Sequence, residues 1–142
     1  IDRVLKDGDK VQLGGMTLTA NLTAGHTAGC TSWTLPVVEA GKTYQALIVC
    51  SVGVNANYVL VGDKRNYPSI AEDYRKSFAR VRAMKVDVFL GAHPNFYDME
   101  AKYAKVAAGG PNPFIDPEGV KKYVDQKERE FTTMLQTQQQ GK

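Results

Sequence analysis

The sequence predicts an α/β (α+β) domain in which a mostly antiparallel sheet carries two main helices. Apolar and polar residues alternate with period two over residues 16–22, which is typical of a strand with one buried face. Apolar residues recur at helical spacing over residues 70–81, and Asp116-Pro117 is a typical helix start ahead of a second apolar stripe. The length of 142 residues fits one domain, residues 1–142.

Tight turns divide the first fifty residues into short strands. Asp7-Gly8, Gly14-Gly15 and the segment 39–42 supply the turn residues, and they separate predicted strands at 10–13, 16–22, 31–38 and 43–49. Residues 86–90 form a further short apolar run, which we interpret as a buried strand.

Two helices follow from the spacing of apolar residues. The first contains Ile70, Tyr74, Phe78 and Val81 on one face, and Ser69 followed by Glu72 has the spacing of a capping box. The second is predicted to end near residue 135, with residues 136–142 as a frayed polar tail. Lys102 and Lys105 lie between the helices and are expected to be solvated.

Composition and charge exclude several classes of function. Eighteen basic and fifteen acidic residues give a net charge of +3 with no long run of one sign, so we expect no nucleic-acid partner. No apolar stretch reaches the ~18–20 residues of a membrane span, so we expect no membrane partner. Two cysteines and two histidines, without a CxxC pair, a phosphate loop or GxGxxG, exclude a cysteine-rich zinc module and the common nucleotide motifs.

The two histidines lie in similar local settings. His26 follows an alternating strand and lies between Gly25 and Thr27 in a loop that also contains Gly29. His93 follows the apolar run 86–90 through Gly91. Loop histidines of this kind are either two metal ligands on one rim, with converging imidazoles, or ordinary surface histidines.

Four segments together resemble the metallo-β-lactamases, in particular their third subclass. Their sequences are GHTAGCTSWT at 25–34, IAEDYRKSF at 70–78, DVFLGAH at 87–93 and NPFIDP at 112–117. The resemblance covers nearly the whole chain but only the second, C-terminal half of the family's αββα sandwich. It implies a zinc-dependent hydrolase that opens the β-lactam ring by attack of zinc-bound hydroxide.

The resemblance also implies a two-zinc site of which this chain carries a part. His26 matches the third ligand of the first zinc and His93 one ligand of the second. The other four ligands belong to a His-x-His-x-Asp-His string in the family's first half, and that string is absent here. One histidine per metal cannot hold a catalytic zinc, so we expect the isolated chain to be inactive.

Two further residues are candidates for catalytic roles by the same resemblance. Ser51 lies where related glyoxalase-like and phosphodiesterase-like proteins have a bridging Asp, and its hydroxyl is either a contact to substrate or water or an ordinary turn serine. Tyr58 lies near a family tyrosine that faces the lactam carbonyl, and it is either an oxyanion donor or a core residue.

The predicted hairpin across residues 40 and 41 brings Cys30 and Cys50 face to face. Residues whose numbers sum to about 81 pair across this turn, and the two cysteines sum to 80. Some members of the third subclass also have a cysteine pair at these positions. We therefore favour a disulfide over two free thiols, and a zinc-ligand Cys50 is the third alternative.

The resemblance further implies a bacterial periplasmic or secreted location, a β-lactam substrate, and a partner for one sheet face. That partner is the missing N-terminal half or a second copy of the chain. We expect this face to carry Met16, Leu18, Ala20, Leu22, Trp33, Leu35 and Leu47. The alternatives are another hydrolase of the same fold, such as a lactonase, and a non-catalytic half-domain; the absence of the bridging Asp speaks against the lactonase.

Overall fold

A computed structural model describes residues 1–141, which contain one five-stranded sheet and three α-helices. The strands are β1 (Lys10–Leu13), β2 (Met16–Leu22), β3 (Thr31–Glu39), β4 (Lys42–Val49) and β5 (Val88–Gly91). They lie side by side in chain order, with β1 to β4 antiparallel and β5 parallel to β4. The prediction of an α/β fold with a mostly antiparallel sheet is confirmed.

The β3–β4 hairpin has the register expected from its turn. Ala40 and Gly41 both have positive φ, 49° and 76°, as a type I′ turn requires. Trp33 pairs with Ile48, so the paired residue numbers sum to 81.

The helices are α1 (Ile70–Ala83), α2 (Met99–Ala107) and α3 (Gly119–Gln140), and a short 3-10 turn spans Pro94–Phe96. The helix α2 was not predicted, and Lys102 on it is buried rather than solvated. Its Nζ lies 2.9 Å from Asp116 Oδ2. Sequence spacing alone does not show this pairing, because a lysine is mostly exposed unless a partner is present.

The start of α1 and the end of α3 differ from the sequence prediction. Ser69 Oγ donates to Asp73 Oδ2 at 2.7 Å rather than capping the backbone of α1. At the start of α3, Asp116 Oδ1 accepts from Gly119 N at 2.9 Å. The predicted tail from residue 136 is wrong over most of its length, because α3 continues to Gln140 and the Gln138 side chain holds a neighbouring loop. Lys142 lies outside the described residues.

Helices α1 and α3 cover one face of the sheet and form the core with it. Leu47, Val49 and Phe89 from the sheet are fully buried against these helices. Leu47 therefore lies on the helix-covered face, not on the opposite face to which it was assigned. The register explains the difference, because Leu47 pairs with Thr34 while Trp33 pairs with the next residue along β4.

The opposite face of the sheet is apolar and lies outside this core. Ala20, Trp33, Ile48 and Leu90 share it through successive strand pairings. Its centre is partly buried by neighbouring side chains, but Met16 at its edge is 52% exposed. Within residues 1–141, no helix is both long and apolar enough to cross a membrane.

Candidate metal centre

Three loops that carry the predicted site residues lie at the same end of the sheet. Because β3 is antiparallel to β4, the loop before β3 and the loop after β4 lie at one end. Because β5 is parallel to β4, the loop after β5 also leaves there, and Ala92 N donates to Val49 O at 3.1 Å. We name them the His26 loop (residues 23–30), the Ser51 loop (residues 50–58) and the His93 loop (residues 92–96).

The His26 ring is held in a defined tautomer. Its Nδ1 lies 3.0 Å from the carbonyl oxygen of Gly53. A carbonyl oxygen only accepts hydrogen bonds, so Nδ1 carries the ring proton. In the neutral ring Nε2 then keeps its lone pair, which is the state in which a histidine binds zinc with its other nitrogen anchored to a carbonyl.

Side-chain hydroxyls fix the backbone of the His26 loop. Three successive carbonyl oxygens each accept one hydrogen bond: Ala24 O from Ser77 at 2.6 Å, Gly25 O from Tyr67 at 3.2 Å and His26 O from Tyr58 at 2.7 Å. Ser77 lies on α1, and the two tyrosines lie in the segment between β4 and α1. The loop is therefore held by neighbouring elements as well as by its own turn.

Tyr74 on α1 touches both the His26 loop and the Ser51 loop. Its hydroxyl donates to Gly53 O at 2.9 Å, the same oxygen that His26 Nδ1 faces. Burial raises the pKa of the Tyr74 hydroxyl, and burial together with the Asp73 charge raises the pKa of Tyr67 to about 12. Both phenols therefore remain hydrogen-bond donors over the physiological pH range.

The two candidate catalytic residues have backbone partners in this arrangement. Ser51 is buried, and its Oγ accepts from Gly53 N at 3.2 Å, as in a serine turn. The Tyr58 hydroxyl donates a hydrogen bond to His26 O, and the Tyr58 ring centroid lies 5.6 Å from that of His26. Their catalytic roles stay predictions.

His93 is exposed and directly follows β5. Its ring meets Phe96 edge to face at a centroid distance of 5.1 Å. It borders an open cavity of about 530 Å³ that is otherwise lined by residues 94–95 and 98–101. The described residues contain no group of three or more potential metal-ligating side chains. Convergence of the His26 and His93 rings stays a prediction, although their loops lie at one end of the sheet.

A disulfide joins the His26 loop to the Ser51 loop. Cys30 and Cys50 are bonded, as the hairpin register predicted, with a Cα–Cα distance of 5.9 Å. Thr23 and Ser32 share a hydrogen bond of 2.7 Å beside it, and Ser32 Oγ accepts from Cys50 N at 3.1 Å. Cys50 is not available as a zinc ligand, because a metal binds the thiolate rather than a disulfide sulfur.

Sequence reasoning missed the hydroxyls that hold the site loops. Tyr74 was assigned to the apolar stripe of α1, and Tyr67 and Ser77 were given no role. A usable signal was present, since a buried tyrosine usually finds a hydrogen-bond partner for its hydroxyl. The sequence did not show which carbonyl that partner would be.

No known protein-family profile matches the chain. Several solved structures do. BJP-1, a subclass B3 metallo-β-lactamase of Bradyrhizobium japonicum, matches with a TM-score of 0.93 and 43% identity over 99% of this chain and 53% of its own. The FEZ-1 metallo-β-lactamase from Legionella gormanii matches with a TM-score of 0.93 and 48% identity over 98% of this chain and 53% of its own. A metallo-β-lactamase from Cronobacter sakazakii matches with a TM-score of 0.88 and 36% identity over 98% of this chain and 52% of its own.

The chain thus spans about half the length of the proteins it matches. The match extends over nearly all of its own residues, including every element of the sheet and all three helices. The chain therefore has the structure of about half of a subclass B3 metallo-β-lactamase and is similar in sequence to these three proteins over that half.

Proposed function

We propose that this chain is the C-terminal half of a zinc-dependent hydrolase that opens the β-lactam ring. The observation that carries the proposal is the anchored His26 ring, which presents a free Nε2 within a fold that matches subclass B3 metallo-β-lactamases along its whole length. His93 lies at the same end of the sheet and is the second imidazole we assign to the site. Each of the two histidines is proposed to bind one of two zinc ions.

The donor set of this chain fits zinc only as part of a larger site. Zinc, when bound, polarises a carbonyl and lowers the pKa of a bound water to about 7. His26 and His93 are two of the ligands such a site needs, and the remaining four are proposed to come from a His-x-His-x-Asp-His string outside this chain. The isolated chain is therefore proposed to be inactive.

Ser51 and Tyr58 are proposed to act on the substrate side of the site. Ser51 can orient a substrate or a water with the proton of its hydroxyl, while its oxygen accepts from Gly53 N. Tyr58 can stabilise an oxyanion only if its hydroxyl leaves the carbonyl of His26, to which it now donates. These two roles therefore differ in how much rearrangement they need.

The apolar sheet face opposite the helices is proposed to pack against the N-terminal half of the family fold. Leu13, Met16 and Leu22 at its edge are 76%, 52% and 42% exposed. Leaving even about 500 Å² of such surface in water forgoes about 12 kcal/mol, which is comparable to the whole stability of a domain at about 5–15 kcal/mol. The chain alone is therefore expected not to persist as a folded monomer.

Sedimentation of the 142-residue chain, with and without an added N-terminal half, tests this packing. A one-to-one complex on addition of that half supports the proposal. A dimer of the chain would assign the face to a second copy instead. A monomer that unfolds cooperatively would contradict both.

A periplasmic or secreted location is proposed because the two site loops are joined by a disulfide. Disulfides persist in oxidising compartments and are rare in the cytosol. The Cys30–Cys50 bond is consistent with such a compartment.

Hydrolysis of nitrocefin by the natural protein that contains this chain tests the activity. Turnover should require zinc and be lost on chelation. His26→Ala and His93→Ala should each lower turnover by more than the ~10–100-fold that outer-shell changes cause. Lys10→Ala, an exposed change on β1, should leave turnover unchanged. Hydrolysis of a lactone but not of nitrocefin would favour the lactonase alternative, and absence of both would favour a non-catalytic half-domain.

A further inference from the structure

We propose that Tyr74 is a positioning residue for His26, which its hydroxyl orients through the carbonyl of Gly53. The proposal rests on the ligand role proposed above for His26. It adds a residue that is distant in sequence and does not itself contact the His26 ring through a hydrogen bond.

The first support is that one carbonyl oxygen serves both residues. Gly53 O lies 2.9 Å from the Tyr74 hydroxyl and 3.0 Å from His26 Nδ1. A carbonyl oxygen has two lone pairs, so it can accept from both donors at once. The Tyr74 hydrogen bond fixes where this oxygen points, and that direction determines where the imidazole N–H finds its acceptor.

The second support is that the Tyr74 ring occupies the space beside the backbone of Gly25. A Cβ atom at Gly25 would lie 2.7 Å from Tyr74 Cδ1 and 2.9 Å from Cγ. The residue before His26 therefore rests directly on the ring whose hydroxyl reaches the Ser51 loop. Tyr74 spans the two loops, with its ring on one and its hydroxyl on the other.

The third support is that the Tyr74 ring is itself held in place. It is fully buried in the core. Its centroid lies 5.9 Å from that of Phe78 on the same helix and 5.2 Å from that of Phe131 on α3. The position of the hydroxyl is thus set by the packing of α1 against α3 rather than by the loops.

These contacts have a consequence for the imidazole. A neutral histidine exchanges between two tautomers, and the acceptor at one nitrogen selects which of them is populated. With Gly53 O held at Nδ1, His26 presents Nε2. Without the Tyr74 hydroxyl, the carbonyl loses one of its two donors and is free to rotate, so a larger fraction of His26 should carry its proton on Nε2.

The test compares Tyr74→Phe with Tyr44→Phe in the natural protein that contains this chain. Each change removes one phenol oxygen and keeps the aromatic ring. Tyr44 is the matched control, because it is half-buried on β4 beside the β3–β4 turn, at the opposite end of the sheet from the site loops. The first readout is the ¹⁵N spectrum of the metal-free protein at pH about 9, well above the ordinary histidine pKa of about 6.5. His26 is assigned by its loss in His26→Ala.

The second readout is zinc affinity, measured by competition with a chelating dye. Loss of an outer-shell partner typically weakens metal binding 10–100-fold. Tyr74 acts one step further out, so we expect a loss of about tenfold, at the lower end of that range. Tyr44→Phe should change neither the tautomer nor the affinity.

Tyr67→Phe is a second variant in case Tyr74→Phe does not fold. Its hydroxyl donates to Gly25 O from a partly exposed position, so its loss should shift both readouts in the same direction by a smaller factor. The inference is overturned if the folded Tyr74→Phe protein, or Tyr67→Phe in its place, matches Tyr44→Phe in the ¹⁵N spectrum. Failure of the proposed function looks different, since the unmodified protein would then bind no zinc while the tautomer shift persisted.

Discussion

Replacement of Gly25 by alanine should be among the most damaging single-methyl changes in this chain. Gly25 has φ +146°, a backbone conformation that L residues rarely adopt, and strain of this kind is worth about 1–3 kcal/mol. The new Cβ would also lie 2.7 Å from Tyr74 Cδ1. Forcing a methyl group into a packed core adds about 1–3 kcal/mol. We expect Gly25→Ala to lower the free energy of unfolding by about 4 kcal/mol, the middle of the summed range.

The Tyr74 ring cannot move aside without breaking other contacts. It is fully buried, and a shift would lengthen its hydrogen bond to Gly53 O. The collision at Gly25 should therefore disturb the His26 loop and the Ser51 loop together. Weaker zinc binding should accompany the loss of stability.

Two other glycines separate the backbone and packing parts of this effect. Gly14 has φ +56° with open space around it, so Gly14→Ala should show the backbone cost alone, about 1 kcal/mol. Gly29 lies in the same loop as Gly25, and a Cβ there would meet no atom within 4 Å. Gly29→Ala should leave stability within about 0.5 kcal/mol of the unmodified protein. Urea unfolding of the natural protein measures all three, and a Gly25→Ala loss within 1 kcal/mol of the Gly14→Ala loss would refute the packing argument.

Three further predictions follow from individual contacts. Removing the 20-residue disulfide crosslink by Cys30→Ala with Cys50→Ala should lower the free energy of unfolding by about 3 kcal/mol, and a urea-measured loss below about 1 kcal/mol would contradict this. Burial tends to raise the pKa of Asp116, but the hydrogen bond and charge of the buried lysine on α2 outweigh it and lower that pKa. The stabilisation is therefore complete above the unfolded value of about 3.9 and is lost as pH falls through the lower folded pKa, so the stability gap to Asp116→Asn should shrink below about pH 4; a gap independent of pH would argue against it. Gln138→Ala removes two backbone hydrogen bonds of 2.7 Å, so we expect a loss of about 1–3 kcal/mol and faster amide exchange at Leu60, and unchanged exchange there would count against the contact.

The sheet could be predicted from sequence because its determinants are local. Period-two alternation and the turn at Ala40-Gly41 together set the β3–β4 register, and that register placed Cys30 opposite the end of β4. The assignment of Leu47 to the open face of the sheet was wrong, and the register explains this error too. A shift of one residue moves a side chain to the other face of the sheet, and the apolar character of Leu47 alone did not distinguish the faces.

The contacts that hold the site depend on long-range packing and were beyond sequence reasoning. Lys102 and Asp116 are 14 residues apart, and Gln138 lies 80 residues from Tyr58, whose carbonyl oxygen it contacts. A polar tail and a loop lysine carry no local mark of such partners. The position of His26 could be predicted, but its tautomer could not, because that depends on a carbonyl 27 residues away.

The placement of these contacts accounts for an ordered His26 loop within the metal site proposed above. The three hydroxyls that bond successive carbonyls of the His26 loop come from α1 and from the segment before it. The helix α1 in turn packs on α3 over the covered face of the sheet. The packing of the helices on their side of the sheet thus positions the His26 loop, whereas the proposed partner contacts the opposite face. The ligands proposed to lie outside this chain would therefore join a site in which His26 is already oriented, so the metal-free natural protein should show the His26 tautomer with its proton on Nδ1.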